Sequence, residues 1–320
     1  MNLLQSRWIA LRKRMEAGAA RTAYVLLAPL PRRAILALAS GLGTLVYLCS
    51  GTSRRIAHAN LELVFGATLS AGAKRRILRR SYRNMALTAL DLFWFSARPV
   101  ERLRQWVDLE PMEVEALLRR PCLVVSAHLG NWELLGQALA LAGLPLASVA
   151  MPLKNPEVDV LLNRARSQTG QRILPRAGAL KAMLGILRNK GCVGFMLDQN
   201  TGLHEGGEFY DFFGVPATVS PVAGLLAYRT GAAIRFVYGL PEPGGRYRVP
   251  DITGFEVPAA SELGRDAALR EVTTRILREY EDQIRKHPEC WMWMYKRWKH
   301  IRPGDDARRY PFYSHSLETP

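Results

Sequence analysis

The sequence predicts an α/β fold in which a central, mostly parallel sheet is flanked by helices. Length and composition permit this class, because 320 residues with 48% hydrophobic and 22% charged residues can bury one large core. The chain after Pro121 is the main observation, since short apolar runs alternate there with stretches of helical periodicity. Such alternation is typical of parallel strands joined by crossover helices.

Four apolar runs are predicted as strands, and they cover residues 122–127, 146–150, 192–197 and 233–238. Four stretches with apolar residues every three or four positions are predicted as helices, at 132–141, 156–168, 179–189 and 219–230. A longer helix is predicted at about 261–286, before an aromatic and basic tail. The Pro and Gly cluster at 241–245 indicates a hairpin turn.

The amino-terminal segment differs in texture from the rest of the chain. Its first 33 residues carry seven Arg and Lys against the single acid Glu16, which predicts a basic amphipathic helix. Residues 34–51 then contain no charge, and eighteen helical residues extend for about 27 Å, the lower limit for crossing a bilayer. A short span and a helix lying in the membrane interface both remain open, as does a buried core helix. We expect this segment to associate with a membrane.

These patterns divide the chain into residues 1–52, the membrane-associating segment, and residues 53–320, the main domain. The main domain comprises a helical entry at 53–120, the α/β core at 121–300 and a basic tail at 301–320. Many arginines lie between the apolar positions of the helical entry, where a solvated face is the ordinary explanation.

The net charge of +16 predicts an acidic partner, which could be nucleic acid, an anionic bilayer, or an acidic protein or phosphorylated substrate. Nucleic acid is disfavoured, because no recognised binding motif is present and the uncharged run 34–51 would be unexplained. The four cysteines lie far apart and the histidines show no HExxH spacing. We therefore expect no disulfide framework, no metal and no cofactor.

The most informative segment is the strand 122–127 followed directly by His128. Ligands of open α/β sheets bind at the carboxyl ends of strands, where this histidine lies. Asn131 can cap the next helix, and Gly130 permits a tight turn. Glu133 lies in the first helical turn, from which it could reach His128 and fix one tautomer of its ring. His128 could then act as a general base. The alternative is that both residues have structural roles only: His128 ends the strand, and Glu133 is stabilised by the positive end of the helix dipole.

The pattern His-x4-Glu after a strand resembles the lysophospholipid acyltransferase superfamily, and specifically the bacterial lipid A biosynthesis acyltransferases, the lauroyl and myristoyl transferases. Seven further segments match that family in order: 55–65 (RIAHANLELVF), 79–84 (RRSYRN), 151–156 (MPLKNP), Arg164 and Arg166 before Gly170, 197–200 (LDQN), 212–217 (FFGVPA) and 291–299 (WMWMYKRWK). The resemblance covers residues 30–300. Tyr295 departs from it, since relatives often carry His there.

This resemblance implies acyl transfer from a carrier-bound thioester to a hydroxyl of a glycolipid. His128 would be the general base and Glu133 its partner. Backbone N–H groups near Gly130 and Asn131 would stabilise the oxyanion of the tetrahedral intermediate. The chain shows no nucleophile elbow, so no covalent acyl-enzyme is required.

The resemblance also implies substrate-binding roles. Either Arg164 or Arg166 would face the cleft and clamp a phosphate, with Arg164 slightly favoured. Asp198 would bind a sugar hydroxyl or a cleft arginine, or else cap a helix. Phe212 and Phe213 would line the pocket of the acyl chain, although core packing is the more ordinary role of such an apolar loop. The tryptophans at 291–298 would suit a lipid headgroup layer, although core packing explains one or two of them equally well.

The implied donor is acyl carrier protein, and the implied acceptor is a lipid A precursor. Other glycolipids or lysophospholipids, such as phosphatidylinositol mannoside, are alternative acceptors. The expected location is the inner membrane, with the catalytic domain on the cytoplasmic side. A hydrolase with the same residues and a non-catalytic membrane-binding relative are the competing functions.

Overall fold

A computed structural model of the chain describes residues 3–110, 114, 115, 117, 121–257 and 264–316. Its first helices are α1 (Leu3–Leu27), α2 (Arg32–Cys49), α3 (Gly51–Phe65), α4 (Ala71–Ser96) and α5 (Pro99–Trp106). The predicted helical entry is therefore interrupted before α4. Ser70 begins α4, because its hydroxyl accepts a hydrogen bond from the Ala73 N–H. Most of residues 111–120, which we assigned to this entry, lie outside the described residues.

The strands are β1 (Val107–Asp108), β2 (Cys122–Ser126), β3 (Leu146–Ala150), β4 (Arg172–Pro175), β5 (Cys192–Met196), β6 (Glu208–Phe212), β7 (Val215–Val219), β8 (Ala233–Phe236), β9 (Leu240–Pro241), β10 (Tyr247–Arg248), β11 (Thr253–Phe255), β12 (His300–Ile301) and β13 (His315–Ser316). The largest sheet has the order β11-β8-β2-β5-β3-β4. Strand β11 runs antiparallel to β8, whereas the other neighbours in this sheet are parallel. The α/β class is confirmed, with a mixed sheet and smaller sheets beside it.

The remaining helices are α6 (Trp132–Leu141), α7 (Pro156–Ser167), α8 (Ala179–Arg188), α9 (Val222–Thr230) and α10 (Arg265–Lys286). All five correspond to predicted helices with shifted ends, except that α6 has the predicted bounds. Residues 261–263 of the predicted long helix lie outside the described residues. The predicted turn at 241–245 is confirmed, because it joins the antiparallel strands β9 and β10.

Helices cover both faces of the largest sheet, as the side chains of β2 demonstrate. Leu123 and Val125 belong to a core cluster that includes residues of α8, α9 and α10. Cys122 and Val124 belong to another cluster that includes residues of α6. Because alternate residues of a strand point to opposite faces, each cluster fills one side of the sheet. This arrangement fixes the carboxyl end of β2 between two helical layers.

Helix α2 packs along α4, so residues 32–49 belong to the same packed body as the helical entry. The α2 residues Ile35, Ala39 and Gly43 are buried. A Cβ added to Gly43 would lie 2.6 Å from the Cα of Arg83, which shows how closely the two helices approach. The expected boundary at residue 52 therefore does not separate two packing units.

A buried ion pair joins α2 to the core. The guanidinium of Arg32 binds the carboxylate of Asp91 on α4, and both side chains are almost fully buried. Asp91 also accepts hydrogen bonds from Tyr247 and from the Asn131 side chain, which caps α6. Removing one partner of a buried pair leaves an uncompensated charge, which costs about 3–5 kcal/mol. The packing that positions α6 therefore depends on Arg32, because Asp91 binds both Arg32 and the Asn131 cap of α6.

The aromatic segment at 291–298 is core rather than surface. Trp291, Trp293 and Trp298 are at most 2% exposed, and Arg297 is fully buried among them. The expectation that these rings and cations contact lipid headgroups is therefore wrong for these four residues. These side chains are buried because the segment that follows α10 runs into the core and not along the protein surface.

Candidate active site

His128 follows β2 and pairs with Asp198, which follows the adjacent parallel strand β5. The Nδ1 of His128 lies 2.8 Å from Oδ1 of Asp198. The other carboxylate oxygen of Asp198 accepts hydrogen bonds from the His128 backbone N–H at 3.0 Å and from the Trp291 indole N–H at 2.9 Å. Because β2 and β5 are neighbours in register, their carboxyl ends bring these residues together.

The electrostatics of this pair favour an ionised carboxylate. Burial raises the pKa of Asp198, but the charge and hydrogen bonds of His128 and the Trp291 hydrogen bond outweigh it, so the pKa lies below its usual range. When the imidazole is neutral, an ionised carboxylate favours the tautomer with its proton on Nδ1, and Nε2 then carries a lone pair. The expected contact of Asp198 with a sugar or an arginine is therefore replaced by its contact with His128.

Glu133 binds Arg166, which corrects the expected pairing of Glu133 with His128. The Arg166 guanidinium donates to both carboxylate oxygens of Glu133, at 2.8 Å from Nε and 2.7 Å from Nη2. Burial lowers the pKa of Arg166, but the hydrogen bond and charge of Glu133 outweigh it and raise that pKa. Glu133 in the first turn of α6 faces the last turn of α7, so this bidentate pair clamps the two helices.

One of the two arginines lines the cavity, as expected, but it is Arg166 and not the slightly favoured Arg164. Arg166 lines the cavity described below, whereas Arg164 is exposed on α7. Residues two positions apart on a helix point in different directions, and the packing of α7 places only the second of them inward. Nε and Nη2 of Arg166 already donate to Glu133, so Arg166 lines the site but does not offer these two donors to a phosphate.

Gly130 and Asn131 shape the turn but do not present the expected oxyanion donors. The N–H of Gly130 donates to the Cys290 carbonyl at 3.0 Å, and that of Asn131 to the Gly239 carbonyl at 2.8 Å. Gly130 has φ +68°, and a Cβ there would lie 2.1 Å from the Gly239 oxygen, which excludes other residue types. The Asn131 side chain accepts from the Leu134 N–H and so caps α6 as expected.

A cavity of about 330 Å³ opens beside His128, between α6 and the strands β2, β3 and β5. Its buried lining is mostly aliphatic, from Val124, Leu135, Leu139 and Leu146, and also includes the polar Ser126 and Gln171. Met151 and Leu153 also line it and are 60% and 42% exposed, so they mark its opening. A cavity with an aliphatic buried wall and a base beside it can hold a hydrocarbon chain next to a reacting carbonyl.

Phe212 and Phe213 do not line this cavity, contrary to expectation. They end the β6–β7 hairpin, where Phe213 and Gly214 both have positive φ, as a tight two-residue hairpin turn requires. The ring of Phe212 is fully buried against Trp291 and Trp298. This packing directs the phenylalanines toward the core on the hairpin side and away from the cavity.

Two of the matching motifs support the site from outside it. Their polar side chains donate to backbone carbonyls of the aromatic segment, Ser81 to Trp291 at 2.6 Å and Asn60 to Trp293 at 2.7 Å. Asn84 likewise donates to the Glu289 carbonyl at 2.9 Å. These bonds place the Trp291 indole against Asp198. The motifs therefore position the residues that hold His128.

Sequence reasoning gave no role to Gln199 or Trp132, which both contact His128. The amide nitrogen of Gln199 lies 3.2 Å from Nε2 of His128. The ring of Trp132 meets the imidazole edge to face, with centroids 4.9 Å apart. The only signal for Gln199 was its place in the LDQN segment beside Asp198.

The described part of the chain contains no group of three or more His, Cys, Asp or Glu that could hold an ion. The pairing of an imidazole with a buried carboxylate beside this cavity is suited to taking a proton from a hydroxyl.

Residues 14–300 match the family model described as bacterial lipid A biosynthesis acyltransferase. The chain is 28% identical over 297 residues to a lipid A biosynthesis lauroyltransferase of Escherichia coli (strain K12), covering 89% of this chain and 91% of that protein. It is 25% identical over 278 residues to lipid A biosynthesis acyltransferase 2 of Shigella flexneri, covering 84% and 85% of the two chains. These matches span the whole described site.

Proposed function

This chain belongs to the family of bacterial lipid A biosynthesis acyltransferases and is an acyltransferase, and from that premise we propose its reaction and its site. The enzyme moves a fatty acyl chain from the thioester of an acyl carrier protein to a hydroxyl of a lipid A precursor. The observation that carries this proposal is the hydrogen-bonded pair of His128 and Asp198 at the wall of a cavity whose buried lining is mostly aliphatic.

His128 acts as the general base. Its Nε2 takes the proton of the acceptor hydroxyl while the hydroxyl oxygen bonds to the thioester carbon, and the carbonyl electron pair moves onto the carbonyl oxygen. When the carbonyl re-forms, the carbon–sulfur bond breaks and the leaving thiolate takes the proton from the imidazolium. Asp198 stabilises that imidazolium by its charge and keeps the proton of the resting ring on Nδ1.

The oxyanion of the intermediate needs donors other than those of Gly130 and Asn131. We assign this task to the first-turn N–H groups of Trp132 and Glu133, because the first N–H groups of a helix have no acceptor within it. Both residues line the cavity. The positive end of the α6 dipole adds to the same stabilisation.

Donor recognition is expected to depend strongly on salt. Five arginines of α4 are exposed, namely Arg75, Arg76, Arg79, Arg80 and Arg83, and the net charge of +16 would steer an acidic carrier toward the enzyme. Exposed charges are screened over about 8 Å at 0.15 M salt. The kcat/KM for acyl carrier protein thioester should therefore fall by about tenfold or more from low to physiological salt, in steady-state assays with detergent-dispersed acceptor. Acyl-coenzyme A should be a poorer donor, and a flat salt profile would contradict this part of the proposal.

Membrane association is proposed to involve α1 and one face of α2. Among the described helices, α2 is long and apolar enough to cross a bilayer by length and composition. Its outward residues Leu38, Leu42, Leu45 and Leu48 are exposed. A span would carry the arginines of α4 into hydrocarbon, which is costly, so we favour α2 lying in the interface. We place the enzyme at the inner membrane, on the cytoplasmic side where an acyl carrier donor is present.

Two truncations should separate membrane binding from folding. Deleting residues 1–22 removes most of the exposed apolar residues of α1 but keeps Arg32, so the protein should stay folded and bind anionic vesicles less. It should act on detergent-dispersed acceptor and fail on vesicle-borne acceptor.

Deleting residues 1–49 also removes Arg32 and should lower the free energy of unfolding by about 3–5 kcal/mol or more, because Asp91 stays buried without its cation. Vesicle co-sedimentation and thermal unfolding measure both effects, and a stable, active 1–49 deletion would refute the structural role of α2.

A further inference from the structure

The side-chain amide of Gln199 occupies the nitrogen of His128 that must accept the substrate proton. Its Nε2 atom lies 3.2 Å from Nε2 of His128. Because Asp198 accepts the proton on Nδ1, the other ring nitrogen presents a lone pair, and only a donor can face a lone pair. The amide NH₂ group of Gln199, rather than its oxygen, therefore meets the imidazole.

The backbone on either side of Gln199 is held firmly. Asp198 is fixed by its hydrogen bonds with His128 and Trp291. Asn200 donates its N–H to the Tyr295 hydroxyl at 3.1 Å and its amide to the Lys296 carbonyl at 2.6 Å. The side chain of Gln199, which lines the cavity and is partly exposed, is thus the part that can turn aside.

We propose that Gln199 is a specificity-determining residue that restricts the base to the glycolipid hydroxyl and limits thioester hydrolysis. Any nucleophile must first displace the amide from Nε2. A bound acceptor makes contacts throughout the site that offset the loss of this hydrogen bond, whereas a water molecule brings only its own. Water attack would otherwise consume the donor, since its oxygen bonds to the thioester carbon, its proton passes through His128 to the leaving thiolate, and free fatty acid results. This inference rests on the proposed general-base role of His128.

The test uses Gln199→Met, which keeps the length of the side chain and removes the donor. Its matched control is Gln168→Met, at an exposed position just after α7. Fatty acid release from acyl carrier protein thioester is measured without acceptor, and transfer is measured with saturating glycolipid. We expect hydrolysis to rise about two- to tenfold in Gln199→Met, the effect of losing one ordinary hydrogen bond, and the ratio of hydrolysis to transfer to rise with it. Hydrolysis that is unchanged or lower in folded Gln199→Met would overturn the proposal.

A spectroscopic measurement tests the contact without activity. In protein with ¹⁵N-labelled histidine, the resonance of the unprotonated Nε2 of His128 should shift in Gln199→Met relative to wild type, because a water molecule replaces the amide nitrogen as its hydrogen-bond donor. An unchanged resonance would equally overturn the proposal. The variant His128→Ala distinguishes this failure from failure of the proposed function. If His128→Ala transfers at the wild-type rate, the general-base assignment is wrong. If His128→Ala is inactive, a negative result with Gln199→Met counts only against the role of Gln199.

Discussion

Replacing His128 with Ala should lower acyl transfer by about 10²–10⁴-fold while the protein stays folded, because a positioned general base contributes that much. The side chain is 14% exposed at the cavity wall, and its ring contacts Asp198, Gln199 and Trp132. Loss of the ring removes the only proton acceptor that we place beside the acceptor hydroxyl. The turnover of acyl carrier protein thioester with a glycolipid acceptor measures the effect.

The His58→Ala variant is the matched control. His58 lies exposed on α3, outside the cavity, so its removal should leave turnover within about twofold of wild type. Circular dichroism and thermal unfolding establish that each variant is folded. Near wild-type turnover in folded His128→Ala would exclude it as the base.

Replacing Asp198 with Asn should lower transfer by about 10²–10⁴-fold with little change in shape. The pKa of Asp198 lies below its usual range, so the carboxylate is ionised at every pH of a normal assay and the variant lacks that charge throughout. An asparagine amide facing Nδ1 would favour the tautomer with its proton on Nε2, which cannot accept the substrate proton. Rates should fall in kcat more than in KM, because the imidazolium forms only during reaction.

Asp251→Asn, at an exposed position away from the cavity, provides the control for loss of one negative charge. Its kcat should match wild type. If Asp198→Asn retained full kcat, the carboxylate that assists His128 would have to be sought elsewhere, and the proposed relay would be wrong.

The sequence predicted the elements of the core because their local patterns are strong. The strand before His128 is a continuous apolar run with a helix cap at Asn131, and both features are local. The turn at 241–245 was equally recognisable from Pro and Gly. Motif resemblance then singled out His128 without any knowledge of its surroundings.

The partner of His128 depends on strand order, which local patterns do not encode. Asp198 is 70 residues away along the chain and meets the histidine only because β2 and β5 are neighbours. Glu133 is nearer than Asp198 to His128 in the sequence, yet its position on α6 directs its side chain toward Arg166. Phe212 illustrates the same limit, because an apolar hairpin residue can face the cavity or the core, and tertiary packing decides between them.

The most direct test is mass spectrometry of a lipid A precursor incubated with the purified enzyme and acyl carrier protein thioester. We predict a product heavier by one acyl group, formed by wild type and not by His128→Ala or Asp198→Asn. Parallel incubations with phosphatidylinositol mannoside and a lysophospholipid should give less product. An unchanged lipid A precursor, with free fatty acid as the only new species or with another lipid acylated instead, would contradict the account.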